Sequence, residues 1–182
     1  MLAVLCVAGT AVPQNRQFVF SDKSDAGQLW ANLTLTYMRL GEPYLPMVIG
    51  VQNFGKRSAQ LNSESFHLIG PDGSRYPLAN LKALRNEYGK FGQDHRIVSG
   101  AGIPVDVWIR QRHFRESNFY PDIGLSRRPT VIDTVSLGRS DGMADLFYFV
   151  APPDLALGRP FLLEVRPKGW EVPLRLRLVL SE

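Results

Sequence analysis

The stretch YLPMVIGVQN (44–53), FGKRSAQLN (54–62), SESFHLIG (63–70) and PDGSRYPL (71–78) alternates apolar segments with turn residues. Residues 47–52 are almost entirely apolar, which is typical of a central strand that is buried on both faces. In Pro71-Asp72-Gly73-Ser74, proline suits an early turn position and Gly73 suits a positive φ. Residues 44–78 therefore predict antiparallel strands joined by tight turns, and they contain no pair of residues suited to catalysis.

The rest of the chain repeats this pattern of short strands. The clearest segment is residues 174–180, where leucines at even positions alternate with Arg175 and Arg177, as in a strand with one face on the core. Further strands are predicted at residues 17–21, 29–40, 65–69, 75–78, 96–103, 104–110, 130–137, 145–150 and 161–166. Residues 79–91 alone have helical spacing, which ends at Gly89. The pattern predicts an all-β, antiparallel sandwich with one short helix in a connection.

Length and composition indicate one globular domain. The chain has 182 residues, of which 45% are hydrophobic and 21% charged, so it can bury a sizeable core. Its formal net charge is +4, and arginines outnumber lysines among its 21 basic residues. Arginine makes planar, bidentate contacts with carboxylate or phosphate groups. A net charge this small does not favour nucleic acid as the partner.

The N-terminus predicts export. Residues 1–12 contain the apolar run LAVLCVAGTA, followed by small residues that suit a cleavage site, so they are assigned as a signal peptide and residues 13–182 as one domain. No Lys or Arg precedes this run, which leaves a first β-strand of a cytosolic protein as the alternative. Lipidation of Cys6 is disfavoured because Leu5 before it is not small. Beyond this segment, no apolar run reaches the ~20 residues of a membrane helix.

Three further segments resemble a known family. They are Val51-Gln52-Asn53 with Gly55, Phe66-x-Leu68 with Asp72-Gly73 and Tyr76, and the turn at residues 153–158 before Phe161-x-Leu163-x-Val165. Together they resemble exported bacterial immunoglobulin-like domains of unknown function. The resemblance implies that the middle segments form a hairpin and the last segment a closing strand pair. It implies no catalytic residue.

Catalytic motifs are missing from the sequence. It contains no Gly-x-Ser-x-Gly elbow and no phosphate-binding glycine loop, and its three histidines do not have metal-ligand spacing. We therefore predict no catalytic residues, no metal and no cofactor. Two alternatives remain open: a hydrolase with scattered His and Asp residues near His95 and His113, and a small-ligand carrier that uses the interior of the sandwich.

Residues 111–129 form a long segment without strand or helix periodicity, and long loops are often functional. Basic and aromatic side chains are concentrated there. The candidate binding residues are Arg110, Arg112, His113, Arg115, Phe119, Tyr120, Arg127 and Arg128. They could bind an anionic envelope component or a protein. The alternative is a solvated loop that its aromatic residues anchor. The sequence as a whole predicts a non-enzymatic, exported binding or structural module of the bacterial cell envelope, in the periplasm or outside the cell.

Overall fold

The computed structural model describes residues 18–100, 114–122 and 130–181 of the chain. Within these residues, the backbone forms ten β-strands and three short α-helices. The strands are β1 Val19–Lys23, β2 Gly27–Asn32, β3 Tyr44–Asn53, β4 Ala59–Leu61, β5 Phe66–Ile69, β6 Arg75–Pro77, β7 Val135–Leu137, β8 Gly142–Val150, β9 Pro160–Val165 and β10 Leu174–Val179. The helices are α1 Thr34–Met38, α2 Leu81–Glu87 and α3 Phe91–Gly100.

The strands form three antiparallel sheets. The first sheet has the order β1-β2-β3-β8, the second has the order β10-β9-β5-β6, and β4 pairs with β7 in a small third sheet. Apart from the β1–β2, β2–β3, β5–β6 and β9–β10 neighbours, the pairings join strands distant in sequence. The prediction of a mostly β, antiparallel protein is confirmed.

The two four-stranded sheets bury a common core. β10 lies against β1 and β2, and β6 lies against β8, so the sheets approach each other along both edges. Between them, the rings of Phe66 on β5 and Phe147 on β8 have centroids 4.5 Å apart. Leu163 on β9 and Leu176 on β10 add to the same core. This arrangement fits a β-sandwich.

β3 is the central strand that its apolar sequence predicts. It pairs with β2 on one side and β8 on the other. Gly50 lies opposite Trp30, and a Cβ at Gly50 would fall 2.0–2.4 Å from three atoms of that indole. Glycine is required here because the Trp30 side chain occupies the space that a Cβ at this position would need.

Two predicted strands are partly helical instead. Within residues 29–40, the strand β2 ends at Asn32, whose side chain accepts a hydrogen bond from Thr34 N at 2.9 Å, and α1 follows. Thr36 in α1 is buried, and its hydroxyl donates to Pro46 O at 2.7 Å. A five-residue helix is too short for its period to show in the sequence.

The predicted strand at residues 96–103 is also wrong as far as the structure describes it, because residues up to 100 belong to α3. Phe91 and Asp94 are the buried residues of α3, and a buried acid conceals the apolar period. The strand predicted at residues 104–110 lies outside the described residues. The helix predicted at residues 79–91 is confirmed over Leu81–Glu87 as α2, which Asn80 caps by accepting from Lys82 N and Ala83 N. Phe91 already belongs to α3, so the described residues contain three short helices where the sequence predicted one.

The strand predicted at residues 130–137 is shorter than expected and covers only Val135–Leu137. The described residues contain no helix with the length and apolar character needed to cross a membrane.

Candidate functional site

The predicted binding loop is only partly described. Five of its candidate residues lie outside the described ranges: Arg110, Arg112, His113, Arg127 and Arg128. Of the others, Arg115 Nε donates to Asp141 Oδ2 at 2.8 Å. Phe119 and Tyr120 are each only 4% exposed, and the Tyr120 hydroxyl donates to Ala79 O at 2.7 Å. These three side chains therefore attach residues 114–122 to the core, while binding by the rest of the loop stays a prediction.

A second basic surface lies on the outer face of the β10-β9-β5-β6 sheet. Side chains alternate along these strands, so the leucines of β10 face the core and Arg175 and Arg177 face outward. The strand register places Arg175 opposite Glu164 and Arg177 opposite Leu162. We call this surface the arginine face, and its members are His67, Arg75, Glu164, Arg166, Arg175 and Arg177.

Glu164 is the centre of the arginine face. It is fully buried and accepts hydrogen bonds from Arg75 Nη2 at 2.8 Å and from Arg175 Nε at 2.9 Å. Arg166 Nη2 lies farther away, at 3.8 Å. Burial alone would raise the pKa of Glu164, but the hydrogen bonds from Arg175 and Arg75 outweigh it and hold the pKa below its usual value. Glu164 is therefore a permanent anion at neutral pH.

The arginines keep most of their binding capacity. The side chains of Arg75, Arg166 and Arg175 are 47%, 48% and 57% exposed, and Arg177 is also exposed. Four arginines and one glutamate give the face a formal charge of +3. A guanidinium has five N–H donors, so one shared carboxylate leaves many of them for a ligand.

His67 borders Glu164 on the neighbouring strand β5. Burial lowers its pKa, and the charge of Arg75 lowers it further. Its Nδ1 is buried and has no hydrogen-bond partner among the described residues. His67 is therefore neutral at pH 7 and adds no charge to the arginine face.

A second polar cluster is internal. Arg39, which follows α1, donates from Nε to Asp94 Oδ1 on α3 at 2.8 Å, and its Nη2 lies 2.7 Å from the same oxygen without hydrogen-bond alignment. The Tyr88 hydroxyl at the end of α2 donates to Asp94 Oδ2 at 2.9 Å. Burial raises the pKa of Asp94, and the bonds from Arg39 and Tyr88 offset part of the rise. One carboxylate thus joins all three helices.

His95, next to Asp94, is the residue on which the hydrolase alternative depends. Its ring lies 4.7 Å from the Phe91 ring and 6.4 Å from the Tyr148 ring, and burial lowers its pKa. The hydrogen bonds that Asp94 accepts come from Arg39 and Tyr88, whereas the His95 ring has a hydrogen bond with the backbone of Tyr120. His113 lies outside the described residues. Among the residues that the structure does describe, no three His, Cys, Asp or Glu side chains are placed to bind a metal.

One concavity lies where three loops meet at one end of the sheets. It has a volume of about 410 Å³, and we call it the loop cleft. Its lining includes Ala26, Lys56, Arg57, Trp170, Glu171 and Val172. A smaller cleft of about 190 Å³ adjoins it, lined by Asp22, Ser24 and Arg175 among others. Both clefts include Ala26 and Val172 in their lining, so they lie next to each other.

Comparison of the chain with models of protein families, with curated proteins and with solved structures finds no match. Function must therefore be argued from the sites themselves. The sequence pattern placed Arg175 and Arg177 on the solvent-exposed face of a strand but did not indicate a binding site there. Arg75, Glu164 and Arg166 gave no local signal, since only strand pairing brings them together.

Proposed function

We propose that this protein is a non-enzymatic binding module of the bacterial cell envelope, whose arginine face binds an anionic envelope polymer. The observation that carries the proposal is the charge of +3 on one open sheet face. Arginine is the residue best suited to this task because its planar fork binds carboxylate and phosphate in a bidentate manner.

The geometry of the face suits an extended ligand. Arg177 and Arg75 stand at opposite ends of one cross-strand row, with Leu162 and Ile69 between them. Four neighbouring strands span about 14 Å, so these two charges can contact successive groups of a chain. The half-buried apolar side chains between them can pack against apolar parts of such a ligand.

The strand order supports an immunoglobulin-like version of the sandwich. In immunoglobulin constant domains, one sheet includes strands A, B and E and the other includes C, F and G. Here β2-β3-β8 has the order of A, B and E, and β10-β9-β5 has the order of G, F and C. β6 then takes the place of the extra strand beside C in variable domains. Such domains commonly serve binding rather than catalysis.

Export is proposed on the apolar segment within residues 1–12. A polymer of the envelope is then the anionic partner that the protein would meet in quantity. The surroundings of Glu164 also support binding over catalysis, because a carboxylate held ionised by arginines is a poor general acid or base at neutral pH.

The arginine face can be tested by removing the two arginines that Glu164 needs least. In Arg166→Ala/Arg177→Ala, Glu164 keeps its bonds to Arg75 and Arg175, so the fold should hold and the melting temperature should change little. We expect affinity for polygalacturonate or polyphosphate to fall at least about tenfold at low salt. The salt dependence of binding should also become weaker, because fewer charges are screened. Titration calorimetry at two salt concentrations measures both.

The matched control is Arg96→Ala/Arg139→Ala, which removes the same charge from exposed positions elsewhere. This control should change affinity less than about twofold. Equal losses in the two double variants would show that net charge alone drives binding, and the arginine face would lose its role.

A further inference from the structure

The arginine face and the loop cleft are connected. Arg175 belongs to the arginine face and also lines the smaller cleft, which shares Ala26 and Val172 with the loop cleft. The three sites therefore follow one another along the surface beside β10. This adjacency favours a long ligand over a separate small molecule.

The chemistry of the loop cleft differs from that of the arginine face. Trp170 provides an aromatic surface, and its indole N–H has no hydrogen-bond partner among the described residues. Lys56 and Arg57 are exposed cations on one wall, while Glu171 provides a carboxylate nearby. In the smaller cleft, Asp22 faces the same depression as Arg175. Together, the two adjacent clefts contain three cationic and two anionic side chains among the residues named here.

We infer that the loop cleft is a saccharide subsite, which holds one sugar unit of an acidic glycan whose further carboxylates lie on the arginine face. This inference rests on the proposed function, since the arginine face supplies the rest of the contact. It names the polymer class: a carboxylated polysaccharide.

Three features favour a sugar over a bare anion. The apolar face of a sugar ring can pack on the indole of Trp170, a contact that phosphate cannot make. The carboxylates of Glu171 and Asp22 can accept hydrogen bonds from the hydroxyl groups of a sugar, donors that an ionised phosphate chain lacks. The volume of about 410 Å³ lies within the usual range of ligand sites, at roughly 300–1,000 Å³.

The test compares two probes on the full chain, an oligogalacturonate of defined length and polyphosphate. Trp170→Ala should weaken oligogalacturonate binding about tenfold, because stacking is lost. The same change should leave polyphosphate binding within about twofold, because that probe uses only the cations. The binding of both probes can be measured by titration calorimetry.

A second variant guards against misfolding, because Trp170 also packs against the backbone near Gly27. Val172 is 70% exposed, so Val172→Tyr fills the loop cleft without removing a packed side chain or changing charge. It should reproduce the selective loss of oligogalacturonate binding. The matched control Val131→Tyr, at a 43% exposed position outside both clefts, should bind both probes as the unmodified protein does.

The outcomes separate this inference from the proposed function. If oligogalacturonate binding survives both cleft variants, or if both probes weaken equally in them, the saccharide subsite is overturned while the arginine face stands. If the cleft variants weaken oligogalacturonate but Arg166→Ala/Arg177→Ala affects neither probe, the arginine face is overturned instead. Failure of the unmodified protein to bind either probe removes both.

Discussion

The two four-stranded sheets differ in how far the outer faces of their strands are exposed to solvent. In the β1-β2-β3-β8 sheet, nine of the ten residues of β3 are buried, so both faces of this strand are covered. In the β10-β9-β5-β6 sheet, β10 alternates buried leucines with exposed arginines. Among the described residues, β3 therefore has no face open to a macromolecule, whereas β10 has one. We expect the first sheet to serve stability and the second sheet to serve binding as well.

The same contrast appears in one buried carboxyl group of each sheet. Asp145 on β8 retains some exposure as a residue, but its carboxyl accepts hydrogen bonds from Phe119 N and Leu146 N. These bonds offset burial only in part, and burial raises the pKa of Asp145 to about 6. Glu164 is also buried, yet Arg175 and Arg75 lower its pKa. Neighbouring cations thus decide whether the pKa of a buried carboxyl is lowered or raised. The described residues of the first sheet provide no such cation for Asp145.

The largest expected effect concerns the helices beside the first sheet. Arg39→Met should destabilise the protein by about 3–5 kcal/mol, because it leaves the fully buried Asp94 carboxylate without its cation. Methionine keeps an apolar stem, so the loss of charge is the main change. Urea unfolding of both proteins gives the difference.

The control for this change is the double variant Arg39→Met/Asp94→Leu. Replacing a buried ion pair by apolar residues is often neutral, so this variant should recover at least half of the lost stability. The Tyr88 hydroxyl loses its acceptor in the double variant, which is why full recovery is not expected. A double variant less stable than Arg39→Met would mean that Asp94 acts mainly through Tyr88.

A smaller effect is expected from Asp145 and should depend on pH. Its pKa is about 6 in the folded protein against 3.8 when unfolded, so the folded state binds more protons between these values. The contribution of Asp145 to the free energy of unfolding is therefore fully present below pH 3.8 and is lost as the pH rises through 6. The advantage of the unmodified protein over Asp145→Asn should therefore fall by about 2 kcal/mol between pH 4 and pH 7.

Urea unfolding at the two pH values measures this change. Asp133→Asn, which alters an exposed carboxyl in a loop, is the matched control. An advantage over Asp145→Asn that grows with pH would mean that the hydrogen bonds from Phe119 N and Leu146 N dominate burial. The first sheet would then hold its acid as the second sheet does.

The strands that alternate or are continuously apolar could be predicted from the sequence. The core strand β3 and the alternating strand β10 each carry their burial pattern in consecutive residues. The helices α1 and α3 could not, because α1 is five residues long and α3 buries an aspartate. A charged residue is predicted to be exposed unless its buried partner is known. The partner of Asp94 is Arg39, which is 55 positions away in the sequence, so local patterns do not reveal it.

The candidate site could not be predicted for the same reason, because its residues are distant in the sequence. The sequence predicted a site at the closely spaced arginines around residues 110–128, whereas the arginine face combines residues from four strands. Arg75 and Glu164 are 89 positions apart, and only the pairing of β6 with β5 and β5 with β9 joins them. Such a site follows from topology, which local patterns leave open.

The smallest expected effect on stability belongs to the second sheet and tests whether this sheet also binds a ligand. Glu164→Gln should cost about 1.5 kcal/mol at pH 7, because its arginine partners can turn to water when the carboxylate is lost. The pKa of Glu164 is lowered on folding, so its contribution is present above its unfolded value of 4.5 and is lost as pH falls through the folded pKa. The pH dependence is thus opposite in sign to that of Asp145.

Binding should respond in the other direction. Removing the negative charge takes the arginine face from +3 to +4 and frees the donors that Glu164 occupied, so Glu164→Gln should bind polygalacturonate more tightly at low salt. Asp154→Asn, which adds the same charge in the β8–β9 connection, is the control for net charge. A variant that is less stable and yet binds more tightly would show that Glu164 stabilises the protein and orders the arginines, while it competes with the ligand for their donors. Weaker binding would instead mean that Glu164 positions the arginines for the ligand, and the face would act as a shaped site rather than a charged surface.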